Sequence, residues 1–491
     1  MTRARFFILL SLALASATPA AAAERLNVLF IITDDLRADV GCYGSAARTP
    51  NIDALAARGL RCDRAYCQQA LCNPSRSSFL TGRRPDSLHL WVNGTHFREK
   101  NPDVVTLPQW FKDNGYETRG LGKIFHNWHT REKGDRRSWS ADEFLHHANH
   151  GDDLPEVKGA LPLNLALPIG RDYGKAPLCE RRDVPDEAYY DGRVAAEAVR
   201  VLGEVKDRSF FLGVGFWKPH APFNAPKKYW DLYDPKALPR LDPARPNGAP
   251  EWAFHQNTEI LGIPPQQITP NAAQIAEMRH GYLANVSYLD AQVGKLLRAL
   301  DQHQLTQRTV IVFVSDHGYH LGEHTLWAKT SCFERDARVP LILATPGMKA
   351  AGKSTAALVE LLDLFPTLTA LCGLKAPAGL EGRSLAPILT DPAKAHNSVA
   401  FSQHPRPAYP DRTPRGVPEV MGYSARTAAG RYTEWRDWDT GKVVGAEYYD
   451  HARDPDELDN RLNTAANAAD VKVARQALHA QFPPEVSPAK R

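Results

Sequence analysis

The chain has 491 residues, 43% of them hydrophobic and 24% charged, and a formal charge of +4 to which Arg3 and Arg5 contribute two. This is the composition of an ordinary globular protein, not of a disordered one, and the length exceeds what one small core organises, so a large and a smaller domain are expected. The near-neutral balance, with no basic helix, zinc-finger spacing or aromatic-interleaved basic strand, excludes nucleic acid as a partner.

The N-terminus, "MTRARFFILLSLALASATPAAAAERLN", has a basic start, an apolar middle and the small residues Ala21 and Ala23 ahead of Glu24. It is predicted to be a secretory signal over residues 1–23. Ser16, Thr18 and Pro19 cut its apolar run short of the roughly 20 residues a membrane span needs. No later segment is apolar enough for stable membrane insertion, so the mature protein is expected to be exported, either periplasmic or secreted. In an oxidising compartment cysteines pair, yet this chain has seven, so at least one is left over.

"NVLFIITDD" (27–35) is a continuous apolar run ending in two acids, as in a strand buried on both faces and emerging at its carboxyl end. "NIDALAARG" follows as a short, glycine-terminated helix. "LCNPSRSSFLTGRRP" (71–85) reads as a short helix with Asn73 as N-cap, Pro74 at its first position, Gly82 as left-handed terminator and Pro85 as stop. Cys72 then stands just in front of that helix, with Arg76 one turn inside. "TLPQWFKDNG" and the amphipathic "DGRVAAEAVRVLGE" are further helices; "SFFLGVGF" (209–216), "TVIVFVSDHG" (309–318) and "VPLILATPG" (339–347) are further strands. The segment from Ala272 to Leu305 is predicted to be the longest helix. This alternation predicts an α/β sandwich around a large mixed, mostly parallel sheet.

Residues 145–180 and 220–270, rich in Pro, Gly, Asp and His, are expected to be long loops walling an active site. "LVELLDLFPTLTALCGL" (358–374) is expected to be a helix interrupted near Pro366. Beyond it, "SVAFSQHP", "VMGYSARTAAGRYTEWRD" and "AEYYDHARDPDEL" predict short strands, with a final helix near 468–481. The expected organisation is an N-terminal catalytic α/β domain over 24–389 and a smaller C-terminal α+β domain over 390–491.

Two predicted strands end alike, in Asp34-Asp35 and in Asp316-His317. Ligands of open α/β sheets bind beyond the carboxyl ends of the strands, so these four side chains can converge from distant positions in sequence. Acids at strand ends also commonly cap the next helix, but two matched pairs beside an unusual cysteine point to a metal site. Three carboxylates favour a hard cation, Ca²⁺ or Mg²⁺, while His317 admits Mn²⁺ or Zn²⁺. Cys72 at a helix N-terminus faces partial positive charge, which lowers a thiol pKa. A plain thiolate nucleophile nevertheless fits poorly: Arg76 follows at +4 without the glycine of a phosphatase loop, and an exposed thiol oxidises outside the cell.

"CNPSR" followed by "SSFLTGRRP" resembles the signature C-x-P-S-R of the type I sulfatases, in which the cysteine is converted to formylglycine (3-oxoalanine). "TDD", "GLGKIFH" (120–126), "WKPHAPF" (217–223), "SDHGYHLGEHTLWAK" (315–329) and "DPDELDN" (454–460) stand in sulfatase order. "FSQHPRP" (401–407) and "MGYSARTAAGRYTEW" (421–435) resemble the iduronate-2-sulfatase branch. The resemblance implies an alkaline-phosphatase-like sandwich, maturation by a formylglycine-generating enzyme and a sulfated saccharide substrate. Asp34, Asp35, Asp316 and His317 would bind the cation together with residue 72. Arg76 would brace the formylglycine alongside Lys123 and His126, and Lys123, His220 and Lys329 would neutralise the sulfate oxygens. The hydrated aldehyde would present two oxygens on one carbon, one to attack sulfur and the other to collapse back and expel sulfate. His126 or His220 would move the proton at the leaving oxygen.

Where the animal iduronate branch is expected to carry Trp-Ala after "SDHG", this chain has Tyr319-His320. Arg426 and Arg431 are expected either to bind a substrate carboxylate from the small domain or to pair with acids between domains. His320 and His324 fit local hydrogen bonding and stay outside the expected site. The remaining six cysteines are expected to be buried thiols or disulfide partners. The leading expectation is hydrolysis of an alkyl sulfate ester, the 2-O-sulfate of a uronic acid. The alternatives are a phosphodiesterase or phosphonate monoester hydrolase of the same superfamily, and a catalytically silent glycan-binding protein.

Overall fold

The apolar runs become strands whose alternate side chains feed two separate cores. The chain was studied as a computed structural model that describes residues 25–126, 130, 132–145, 179–238, 241–262, 267 and 269–491. The predicted signal over 1–23 and most of the predicted loop over 145–180 lie outside the described residues. In chain order the strands are β1 (Asn27–Asp34), β2 (Leu60–Tyr66), β3 (Glu117–Gly122), β4 (Cys179–Arg182), β5 (Phe210–Pro219) and β6 (Phe223–Pro226). They continue with β7 (Thr309–Ser315), β8 (His320–Leu321), β9 (Trp327–Ala328), β10 (Arg338–Ala344) and β11 (Lys353–Glu360).

Seven of them form one sheet in the order β11-β2-β10-β7-β1-β5-β3. Strands β7, β1, β5 and β3 are parallel neighbours, β11 is parallel to β2, and β10 runs antiparallel to both of its partners. The sheet is therefore mixed and mostly parallel, as the strand–helix alternation implies. In β1, Leu29 and Ile31 join the core on one face while Val28, Phe30 and Ile32 join the core on the other. The first core is covered by the helices Tyr190–Val205 and Ala272–Gln302, the second by Cys72–Thr81, Leu107–Asp113 and Leu364–Leu371. The long helix starts at a capping box, Asn271 and Gln274 each accepting the other's backbone N–H.

Two local expectations are corrected. The helix after Leu71 begins at Cys72 itself, with Leu71 in extended conformation as its cap. Pro74 lies within the first turn, where no intrahelical donor is required, so the helix absorbs it without loss. The Asn73 side chain does not cap; its amide donates to the carbonyls of Val92 (2.9 Å) and Thr95 (2.6 Å). Gly82 does close the helix, at φ 67°. The stretch 358–374 is not one helix broken at Pro366: Leu358–Glu360 end β11, and Leu364–Leu371 form the helix with Pro366 in its first turn.

The C-terminal lobe is the antiparallel sheet β12 (Ala400–Arg406), β13 (Val420–Arg426), β14 (Gly430–Asp437) and β15 (Val443–Asp450), backed by the helix Ala468–Gln481. Strand β12 lies against the loop that leads to Cys72: Ser402 Oγ donates to Cys67 O (2.6 Å) and Gln403 N donates to Gln68 O (2.8 Å). All seven cysteines are free thiols and all but Cys42 are buried, which for five of the six other than Cys72 is the buried-thiol alternative.

Candidate active site

Four parallel neighbours, β7, β1, β5 and β3, deliver polar groups to one edge of the sheet. Asp316 and His317 follow β7, Asp34 and Asp35 end β1, Lys218 to His220 end and follow β5, and Lys123 follows β3. The helix Cys72–Thr81 points its first residue at the same place. Ligand atoms of Asp34, Asp35, Cys72 and His317 all lie within 4.8 Å of one another, and all four residues are buried. Cys72 Sγ is 3.4 Å from both Asp34 Oδ1 and His317 Nε2.

Electrostatics explain what this cluster is built to hold. Burial pushes the Asp35 carboxyl well above the usual range, Lys329 only partly offsets that, and the Asp34 charge adds to it. Its Oδ1 is buried with no hydrogen-bond partner among the described residues. An orphaned buried carboxylate oxygen beside two further donors fits a divalent cation, which would return Asp35 to its charged form. Burial likewise tends to raise Asp34, but Lys123, His220 and Arg76 outweigh it and hold Asp34 well below the usual range. Asp316 stands beside the cluster with its carboxylate already engaged: Oδ2 accepts from Arg76 Nε (2.8 Å), and Oδ1 accepts from the backbone N–H of Asp35 (3.2 Å) and His317 (2.9 Å).

The Cys72 thiol departs from expectation. Burial first, then the Asp34 charge, push it up to about 12, against the opposing pull of Lys123 and Lys329. Burial, helped by the Asp34 charge, keeps the unmodified thiol protonated despite the helix terminus, so it is a poor nucleophile.

Arg76 is fully buried and spans the cluster's floor. Besides Asp316 it donates to Asp34 Oδ1 (3.3 Å) and to the carbonyls of Thr33, Lys123 and Ile124. Lys123 donates to Asp34 Oδ2 and lies 4.2 Å from the centre of the Trp217 ring. His126 is buried three residues further along the same loop. On the opposite side, Lys329 Nζ donates to Asp35 Oδ2 (3.1 Å) and Glu259 Oε1 (2.5 Å), and lies 3.1 Å from His220 Nε2. Burial and the neighbouring Lys329 charge hold His220 down to about 3, so it is neutral at physiological pH and can accept a proton only transiently.

The backbone around Lys329 is strained on both sides, with Ala328 at φ 69° and Thr330 at φ 88°; Asp35 sits at φ 63°. Left-handed non-glycine residues are costly, and their concentration at one polar cluster marks a built site.

Sequence reasoning missed Glu259. It holds Lys329 in place and accepts a second hydrogen bond from Tyr409 (2.9 Å), yet "NTEI" carries no motif. The only signal was its location in a loop expected to wall the site. The Tyr319 hydroxyl, at the position where the iduronate branch was expected to differ, is buried with no hydrogen-bond partner among the described residues. Arg426 is placed in a different cluster: it is buried, with Nε 3.4 Å from Glu334 Oε2, beside Arg431, which bridges Glu334 (2.5 Å) and Glu457 (2.8 Å). Of its two expected roles, this is the pairing between lobes. His320 and His324 form a local relay from Asp336 to the Asp456 carbonyl, outside the cluster.

Comparison with known proteins bears on the same residues. The protein-family profile described as Sulfatase matches residues 26–374, and one described as N-sulphoglucosamine sulphohydrolase, C-terminal matches 322–482. The chain is 37% identical to iduronate 2-sulfatase of Mus musculus, with 86% of this chain and 87% of that protein aligned. It is 36% identical to iduronate 2-sulfatase of Homo sapiens, over 84% and 85% respectively. Among solved structures, the phosphonate monoester hydrolase of Agrobacterium radiobacter superposes with a TM-score of 0.74 at 23% identity, covering 93% of this chain and 96% of that one. A 2-O GAG sulfatase superposes with a TM-score of 0.66 at 23% identity, covering 94% and 92%. At such identities the two structures speak for the fold, an alkaline-phosphatase-like sandwich with a smaller antiparallel C-terminal sheet.

Proposed function

The chain belongs to the sulfatase family, and on that premise we propose that it removes the 2-O-sulfate of a uronic acid residue in a sulfated glycan. The observation that carries this reading is the convergence of Asp34, Asp35, Cys72 and His317 within 4.8 Å, flanked by the ammonium groups of Lys123 and Lys329. Asp34, Asp35 and His317 would hold the cation beside position 72, which, once matured to formylglycine and hydrated, would supply the oxygen nucleophile that a thiol pushed up to about 12 does not. Asp34, Asp35 and a matured position 72 would offer oxygen donors beside the His317 nitrogen, a set that suits a hard divalent cation, and we take Ca²⁺ as the ion, with Mg²⁺ or Mn²⁺ as alternatives.

The chain's own residues then have separable tasks. Lys123, His220 and Arg76 hold the Asp34 carboxyl well below the usual range against the pull of burial, which favours the ionised form that holds a cation. Arg76 fixes Asp316 and the carbonyls beneath the nucleophile, which removes reorganisation from the reaction. Lys123 and Lys329 face the cluster from two sides and are placed to compensate charge on a sulfate's peripheral oxygens. His220, neutral and with Nε2 3.1 Å from the Lys329 ammonium, is placed to take a proton from that ammonium and pass it to the departing alkoxide oxygen. The uronate assignment draws on the identity to the iduronate 2-sulfatases, and the signal over 1–23 makes an exported protein matured by a formylglycine-generating enzyme the matching biology.

Turnover of 2-O-sulfated uronate disaccharides, measured beside phosphate and phosphonate esters, tests the reading. Release of inorganic sulfate from the uronate at the highest kcat/KM supports it. Preferential turnover of the phosphorus esters would remove it.

A further inference from the structure

A cavity of about 520 Å³ opens between residues 251–258 of the long loop and residues 406–413 after β12. It adjoins the site directly: Thr258 lines it, the next residue is Glu259, and Tyr409 on its wall donates to Glu259, which holds Lys329. Three aromatic side chains line it, Trp252, Phe254 and Tyr409. Flat apolar faces with polar edges are suited to the C–H faces of a pyranose ring.

Its charge is biased as well. Arg406 lines the cavity and is buried, yet its guanidinium donates only to carbonyls, those of Trp252 (2.7 Å), Thr330 and Pro405 (2.9 Å each) and Ala253 (3.0 Å), with His404 Nδ1 at 3.3 Å. No carboxylate pairs with it among the described residues. Arg412 lies over the Tyr409 ring at 4.3 Å. The acids on the rim, Glu251 and Glu419, are exposed, and Glu251 is already paired with Arg245 at 2.7 Å, so solvent and partner screen them more than the buried cation. The cavity thus offers an apolar platform and a positive field.

We propose that this cavity is a subsite for the sugar next to the one bearing the scissile sulfate, and that it selects a neighbour carrying an anionic group. The proposal rests on the reading of the chain as a glycan sulfatase and names the second residue of its substrate. A positive field matches a carboxylate or sulfate; a neutral neighbour would leave it unanswered.

The test compares kcat/KM for a 2-O-sulfated uronate monosaccharide with that for a disaccharide whose neighbouring sugar is sulfated, in the wild type and in Arg412→Ala and Phe254→Ala. The wild type is expected to prefer the disaccharide by about tenfold or more, and each variant to lose most of that preference while keeping monosaccharide turnover. Arg412 is partly exposed, so its variant folds even if Phe254→Ala does not. Equal rates on both substrates in the wild type, or equal losses on both in the variants, would overturn the subsite while leaving the sulfatase reading intact. If neither uronate is hydrolysed but an aryl sulfate is, the uronate reading itself has failed and the subsite falls with it.

Discussion

At the scale of single residues, the site is a balance between burial and charge. Arg76 has no solvent and no spare donor; Asp34, Asp316 and three carbonyls depend on it. Arg76→Lys removes the planar fork and leaves buried acceptors unanswered, and should cost about 3–5 kcal/mol of unfolding free energy, read from the urea midpoint. Activity should vanish with it. Glu259 acts through Lys329, as a positioning residue. Glu259→Gln keeps the shape but removes the charge that fixes the ammonium, and kcat should fall about tenfold or more with little change in KM. A rise in KM as large as the fall in kcat would mean that Glu259 contacts substrate directly. These residues were unequally legible in the chain. Asp34, Asp35, Asp316 and His317 announced themselves because acids closing apolar strands converge by topology alone. Glu259 did not, because its position depends on a loop fold that no periodicity encodes.

At the scale of elements, the strands buried along nearly their whole length were readable, and the two edge strands, β3 and β11, with the inner but partly exposed β2, were not. Strands β1, β5, β7 and β10 are continuous apolar runs, while β2, β3 and β11 mix charged with apolar residues because part of each faces solvent. The helix expected to start at Pro74 starts two residues earlier, at Cys72, since a first-turn N–H is dispensable and proline does not mark one fixed position there. The helix end was legible: Gly82 has φ 67°, and a Cβ built there would meet Leu380 Cδ2 at 2.6 Å. Gly82→Ala should therefore destabilise by about 1 kcal/mol or more, visible as a lower Tm. The reverse holds beside Lys329. Ala328→Gly relaxes a left-handed backbone, should raise stability by about 0.5–1 kcal/mol, and should lower kcat if the strain positions the ammonium.

At the scale of the whole molecule, the small lobe closes the site and is clamped to the large one by buried ion pairs. Glu334 belongs to the large lobe; Arg426, Arg431 and Glu457 belong to the small one. Burial opposes ionisation of Glu334, but Arg431 and Arg426 outweigh it and hold the carboxyl down to about 2. A carboxyl with a depressed folded-state pKa stabilises the fold above its ordinary value of 4.5, and that contribution is lost as pH falls from there toward 2. Thermal melts from pH 7 to pH 3 should show the wild type losing Tm below about pH 4.5, and Glu334→Gln should start lower and show a shallower slope in that window. Identical slopes would place the acid sensitivity elsewhere. Two lobes, clamped this way around one sheet edge, exist to present position 72 to a sulfate. The most direct measurement is mass spectrometry of the tryptic peptide 65–76 from active enzyme after alkylation, because it carries both Cys67 and position 72. The account predicts an alkylated Cys67 beside an aldehyde at 72, with activity tracking the aldehyde fraction. Full activity in material whose position 72 is an alkylatable thiol would contradict it.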